Sequence, residues 1–431
     1  MITPDEALAR SALHKISWRL LPLIAISYGI AYVDRVNISF AALQMNRDLG
    51  FSATVYGLGG GLFFLSYALL EVPSNMILAR VGARRWIARI MLTWGVIAVG
   101  MMFVRTPLQF YTMRFLLGAA EAGFFPGVLY YVTQWFPDAQ RGRAITRFYF
   151  AVPLSAALMG GMAGGLLGLQ GHLGLAGWQW LFLVQGLPAI LMSAVILVAL
   201  PDRPADVTWL SVDEKGWLAR RLAADAEARP GGTHSILRAL MQPTVLALTA
   251  VNFLVLGSIY AFTLSAPEIL RGATGLSAGA IGNLAMIGGL AGAAIMLLNG
   301  WLSDRTGERH LFVAVPLFTA AAALGVMSLT EAPSTVIAAY LVFSAVYTSA
   351  LTVFWLSGAI LHPSAAAVGV AAINSVGQLG SFFLPALWGV ARDQTGGYHL
   401  GLRLVATNFA IAAAIMLVLR FKANRVASAL P

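Results

Sequence analysis

Apolar residues run along this chain in long stretches separated by short polar ones. A bilayer core of roughly 30 Å needs about 20 apolar residues per helix. Scanning at that length predicts twelve spans, near 18–41, 53–79, 85–104, 107–135, 143–169, 178–200, 243–270, 278–302, 310–330, 333–361, 365–391 and 398–421. An even number of spans puts both termini on one side. The long polar stretch 201–242, with Pro-bounded ends, a mixed-charge helical middle and a Gly-Gly break, reads as a central linker. It divides the chain into six-span halves, 1–200 and 243–431. The expected fold class is an all-α membrane protein of two pseudo-symmetric six-helix bundles.

The halves repeat. Asn75 to Arg85 follows span two, and Gly300 to His310 follows span eight, 225 residues later. Parallel halves with polar groups near the midplane are the pattern of a rocking transporter.

Composition agrees with the span pattern. Of 431 residues, 59% are hydrophobic and 11% charged, with mean hydropathy +0.77. Soluble proteins carry about 25% charged residues. Cysteine is absent, which removes disulfides and thiol metal sites. The net charge of +10 would suit a nucleic-acid partner were it not distributed by topology. Lys and Arg number 21 on the side holding the termini, 5 on the other, and 2 inside spans. That bias puts the termini in the cytoplasm of a multi-pass inner-membrane protein. The first eighteen residues carry two acids and no small-residue cleavage site, so the first span is expected to be retained.

Ionisable side chains at mid-span cost about 2.5–3.5 kcal/mol on insertion scales and usually serve function. Here they are Asp34, Arg35, Glu71, Arg114 and Glu121, all in the N-terminal half. At 1.5 Å per residue, Asp34 and Arg35 lie ~24 Å from the cytoplasmic end of span one. Glu121 lies ~21 Å from that end of span four. Arg114 is two turns further out on nearly the same face. The positions predict a charge ladder facing one cavity. Glu71, nearer the cytoplasm, is expected to be structural, tied to the loop from Arg80 to Arg89.

The loop copies carry a resemblance. Gly300-x-x-x-Asp304-Arg305-x-Gly307-x-Arg309 resembles the signature of the major facilitator superfamily. The N-terminal copy keeps Arg80, Gly82 and Arg84 but has Asn75 for the Gly and Ala79 for the Asp. "YVDRVNISFA", "LLEVPSNMILARVGARRWIARIM", "RFLLGAAEAGFFPGVLYYVTQWFP" and "PDRPADVTWLS" resemble its anion:cation symporter branch, which includes tartrate, phthalate, hydroxyphenylacetate and sugar-acid permeases. The resemblance implies gating roles for the loop residues. It also implies a substrate anchor in the Arg of the Asp-Arg pair and a proton carrier in the span-four acid, modulated by Arg114.

Chemistry points the same way. Arg35 stays protonated and presents a planar fork that fits a carboxylate. Asp34 and Glu121 can exchange a proton, since burial and a nearby Arg act oppositely on a carboxyl group. Substrate at Arg35 would loosen its hold on Asp34 and favour protonation there, coupling the two. Tyr32, Tyr67, Trp355 and Asn374, with Gln378 weaker, are mid-span candidates for substrate contact, packing being the alternative. The expected partners are a small carboxylate, a coupling cation (H⁺ favoured over Na⁺) and the lipid bilayer, with no nucleic acid, no cofactor and no metal; the expected state is a monomer. An exporter or proton antiporter of the same fold is the alternative, and an acidic cavity without a central Arg would mark it. An enzyme would need a metal or nucleophile constellation, which the motifs lack. The Gly-rich runs "VYGLGGGLFF" and "GGMAGGLLG" predict close helix packing.

Overall fold

Long apolar runs have no water with which to satisfy their backbone, so they fold as helices. The computed structural model describes residues 4–227, 241–356 and 363–428, with no strand among them. The order is α1 (Pro4–Leu49), α2 (Ala53–Val81), α3 (Ala83–Gly100), α4 (Pro107–Glu121), α5 (Phe124–Trp135), α6 (Asp138–Tyr149), α7 (Ala151–Leu167) and α8 (Gly177–Ala199). Then come α9 (Val212–Glu227), α10 (Pro243–Thr274), α11 (Ala278–Thr306), α12 (His310–Met327), α13 (Pro333–Leu356), α14 (Pro363–Thr395) and α15 (His399–Ser428). Among the described residues, eleven helices are long and apolar enough to cross a bilayer. The remaining predicted span, 365–391, falls within α14, a helix of 33 residues.

Local sequence sets many of the ends. Thr106 and Gln109 form a capping box ahead of α4, with Pro107 in its first turn. Gly307 closes α11 at φ +69°, where a side chain would be strained.

The first helix departs most from its predicted bounds. Its 46 residues span ~69 Å, over twice the bilayer core, so it projects beyond the membrane. The projecting part is held by the first portion of the linker. Glu214 on α9 accepts from Ser11 Oγ (2.6 Å) and Lys15 Nζ (2.8 Å). The Arg19 guanidinium lies 5.1 Å over the Trp209 ring, which stacks on Trp135 at 5.9 Å. Residues 201–227 thus pack on the N-terminal helices, and residues 228–240 lie outside the described part.

The helices before and after the linker meet along α2 with α14, α7 with α11, and α1 with α10. These contacts concentrate at the face opposite the termini. An added Cβ on Gly160 would sit 2.5 Å from Gly282 O, and one on Gly57 would sit 2.3 Å from Pro385 O. The Gly-rich runs serve close packing, as their composition predicts. Polar bonds reinforce this face. Asp393 accepts from Ala53 N (3.0 Å) and Thr54 N (2.8 Å), and Glu268 from Asn46 Nδ2 and Tyr398 Oη (both 2.9 Å). One apolar core runs through both halves there. The core at the terminal face belongs to the N-terminal helices and the linker, with Tyr260 packed at its rim. The molecule is therefore closed at the opposite face.

Candidate functional site at the junction of the halves

The site is built on a broken helix. Residues 107–135 read as one continuous span, but the chain breaks at Ala122–Gly123, where Gly123 takes φ +85°. Any Cβ there would also meet Ser74 Oγ at 2.4 Å, so glycine is required on two counts. The break leaves Glu121 as the last residue of α4, with no exposed surface.

Arg35 on α1 reaches it. Its Nε donates to Glu121 Oε1 at 2.8 Å, and Nη2 bonds the same oxygen. The similar depths expected for the two residues thus correspond to a direct ion pair. The guanidinium carbon lies 5.2 Å from the Tyr67 ring centre and 5.7 Å from that of Phe63. Tyr67 and Tyr260 line the same cavity as Arg35.

The other charges take different places. Asp34 is buried and accepts from Asn37 Nδ2 (3.2 Å), while its Oδ2 has no hydrogen-bond partner among the described residues. Arg114 donates to the carbonyls of Gly59 (3.3 Å) and Gly60 (3.4 Å), and its guanidinium lies 4.8 Å from the Phe63 ring. Two cavities meet at the junction, and of the four expected ladder residues only Arg35 lines either. The ladder expectation is corrected. Asp34, Arg114 and Glu121 stand in the wall behind Arg35, because α4 turns its charged face into α1 and α2 rather than into the cavity.

Glu71 also differs from expectation. Instead of tying to the loop after α2, its Oε1 accepts from Asn374 Nδ2 at 2.8 Å, a bond between the halves. Its Oε2 is buried without a hydrogen-bond partner among the described residues.

Arg35, Tyr32, Tyr260, Tyr347 and Thr348 line both cavities. The one toward the closed face, about 70 Å³, adds Ser39, Thr263 and Tyr340. The other, about 60 Å³, adds Tyr28, Tyr67, Tyr149, Asn374 and Gln378. Tyr32, Tyr67, Asn374 and Gln378 thus line one cavity; the Trp355 side chain lies outside the described residues. Sequence reasoning missed Tyr28, Tyr149, Tyr260, Tyr347 and Thr348. One signal was present: Gly29-x-x-Tyr32 recurs as Gly257-x-x-Tyr260 at nearly the offset of the half repeat.

The loop residues lie away from this centre. Arg309 pairs with Asp304 at 2.7 Å and bonds Ser303 Oγ at 2.9 Å. Arg305 lies 5.3 Å over Trp301. Gly82 takes φ +97°, and Arg80 is exposed. Gly300 has open space where a Cβ would stand. The acid missing at Ala79 has a substitute from outside the motif: Asp202, past the end of α8, accepts from Arg84 N (2.9 Å) and pairs with its side chain (3.5 Å). In the second half that acid is present as Asp304, and Glu308 in the following loop accepts from Arg420 Nε at 2.9 Å. Burial pushes the Glu308 carboxyl up, but Arg420 and the backbone of Leu311 and His310 outweigh it and hold it below the usual range.

Among the described residues no three His, Cys, Asp or Glu gather as a metal site. The centre can therefore offer one fixed cation, a buried acid paired to it, and a ring of tyrosine hydroxyls. That arrangement suits reversible capture of a small anion.

A Major Facilitator Superfamily family model matches residues 24–385. A "Putative tartrate transporter" of Agrobacterium vitis is 43% identical, over 96% of each chain. A "Quinolone resistance transporter" of Acinetobacter baumannii is 39% identical over 91% of each. Among solved structures, a bacterial homologue of the lysosomal transporter Spinster, in an inward-facing state, superposes with TM-score 0.72 at 20% identity, covering 93% of this chain and 96% of its own. With its multi-pass helical fold and a matching family model over most of its length, the chain belongs to the major facilitator superfamily and is a transporter rather than an enzyme.

Proposed function

We propose that the chain imports a small organic carboxylate of tartrate, aromatic-acid or sugar-acid type across the cytoplasmic membrane, in symport with a proton, by alternating access. The observation that carries this reading is Arg35, which lines both cavities while its guanidinium is bonded to Glu121 behind it. An incoming carboxylate competes with Glu121 for the fork. Once Arg35 turns to the substrate, Glu121 is left as a buried carboxylate without its counter-ion, which costs several kcal/mol. Taking up a proton removes that cost. Substrate and proton thus favour each other's binding, which symport requires. The route runs through Glu121, with Asp34 as a second buried acid close by, rather than through Asp34 first.

Tyr32, Tyr67 and Asn374 supply hydrogen bonds to the substrate, and Trp355 on α13 is assigned the same use. Arg114 keeps positive potential near Glu121. The Glu71–Asn374 bond is then a contact that must break and re-form as 1–200 and 243–431 rock about the centre, joined by 201–242. The basic loops face the cytoplasm, and the loop residues Arg80, Gly82, Arg84, Gly300, Asp304, Arg305, Gly307 and Arg309 hold the helix ends during rocking. The unit is a monomer. Resemblance to the anion:cation symporter branch and the 43% identity to a putative tartrate transporter support this reading.

The test is uptake of radiolabelled tartrate and of aromatic and sugar acids into proteoliposomes, driven by an inward pH gradient. Accumulation that follows the proton gradient and collapses with a protonophore is the expected result. Accumulation following only a sodium gradient overturns the proton, and drug extrusion without carboxylate uptake overturns the import of an anion.

A further inference from the structure

A further concavity, about 660 Å³, opens at the terminal face between α1 and α6. Its wall carries Arg10, His14 and Trp18 from α1 and Gln140, Arg143 and Arg147 from α6, with no acidic residue among the described residues lining it. Many other cations on this face are matched: Lys15 to Glu214, Arg84 to Asp202, Arg309 to Asp304 and Arg420 to Glu308. Arg10, Arg143 and Arg147 make no ion pair among the described residues. Arg143 and Arg147 are one turn apart on one helix face, a like-charge spacing that destabilises a helix unless something offsets it. General topology would require positive charge on this face but not its convergence, unpaired, on one concave wall.

The concavity ends close to the central cavity along both helices. Its innermost lining residue on α1 is Ala25, one turn before Tyr28, which lines the inner central cavity with Tyr149. On α6, Arg147 is two residues from Tyr149. Along α1, Arg35 and Ala25 are ~15 Å apart.

We propose that Arg10, Arg143 and Arg147, with His14 and Gln140, form a second anion site in which the cargo's carboxylate lodges after leaving Arg35 and before reaching the cytoplasm. This rests on the reading of the cargo as an organic anion. A weak basic site beside the exit shortens the step off Arg35, because the carboxylate passes from one guanidinium group to another instead of directly into water. It also raises the local concentration of anion at that mouth.

The test uses the full-length protein carrying 5-fluorotryptophan, with the Trp18 resonance identified through Trp18→Phe. Sodium sulfate and sodium tartrate are titrated separately in phosphatidylcholine nanodiscs. Both are expected to shift the Trp18 signal saturably in the wild type and in Arg35→Gln. In the double variant Arg143→Gln/Arg147→Gln the midpoint is expected to rise at least tenfold, and Arg143→Lys/Arg147→Lys is expected to restore it. An unshifted Trp18 signal, a response lost in Arg35→Gln, or one unchanged in the double Gln variant overturns the site. A response to sulfate but not tartrate overturns its role for cargo. A shift produced by phosphatidylglycerol alone that then blocks both anions makes it a headgroup seat and overturns it as well. Failure of wild-type uptake with the tartrate response intact counts against the proposed transport, not the site.

Discussion

At the residue scale the centre depends on one ion pair. A buried pair adds little net stability, but removing one partner strands the other at about 3–5 kcal/mol. Arg35→Lys keeps the charge and loses the fork, so Glu121 and the substrate compete for a point charge. Uptake kcat/KM is expected to fall by roughly 10–100-fold, the worth of one charge-assisted hydrogen bond, with normal amounts of protein in the membrane. Unchanged kinetics would remove Arg35 as the anchor. Glu121→Gln keeps a hydrogen-bonding oxygen for Arg35 but holds no exchangeable proton. Counterflow exchange is expected to continue while pH-driven accumulation disappears, and accumulation at wild-type level would send the proton elsewhere. The sequence made these residues conspicuous, since a charge in an apolar span is costly wherever it points. Their direction was not legible. The sequence suggests that Arg35 acts first on the charge of Asp34, whereas the rotation of α4 against α1 pairs it with Glu121. Tyrosines such as Tyr260 and Tyr347 stay hidden because an aromatic in an apolar span looks like packing.

At the element scale, span number and order were legible because length and apolarity set them directly. Breaks and projections were not. A glycine inside a Gly-rich chain does not announce a left-handed turn, so the interruption at Gly123 read as continuous helix. The polar start of α1 read as a tail because its docking partner Glu214 lies 199 residues from Lys15. The glycine runs were readable as packing, though not their partners. Gly160 supports a specific expectation, since an added Cβ meets Gly282 O at 2.5 Å and Met286 N at 2.8 Å, both backbone atoms that cannot swing away. Gly160→Ala must open the α7–α11 seam at the closed face. The chain has no cysteine, so spin labels can be placed at Arg105→Cys and Glu331→Cys on the outer loops of the two halves without background. Gly160→Ala is expected to shift the interlabel distances to longer values, toward a state open at that face. An unchanged distribution would mean that the seam is not what holds this face shut.

For the whole molecule, the linker belongs mechanically to the first half as far as residue 227, although composition marks all of 201–242 as a separate polar stretch. What settles the matter is burial that no local pattern reveals: Val207, Leu210 and Leu218 enter the same apolar core as α1, α3 and α5. Lys15, Ser11 and Ser211 N, acting on Glu214, fix the strap's place. Burial pushes the Glu214 carboxyl up, but these bonds outweigh it and bring it down to about 2. A carboxyl held lower in the docked state than its usual value near 4 favours docking above that value and loses its effect as pH falls toward 2. The strap is therefore expected to stay seated through the pH changes that drive transport. Hydrogen exchange of segment 212–227 in the wild type should keep constant protection, after correction for intrinsic rates, from pH 8 to pH 5, and lose it only below about pH 4. Glu214→Gln should exchange about tenfold faster at neutral pH, having given up one charged hydrogen bond, and should show little further change as the pH falls. Wild-type protection that declines between pH 8 and pH 5 would place the controlling titration on another group and make the strap a pH sensor rather than a fixed brace. In the fixed-brace case the first half and residues 201–227 move as one body while the centre changes its access.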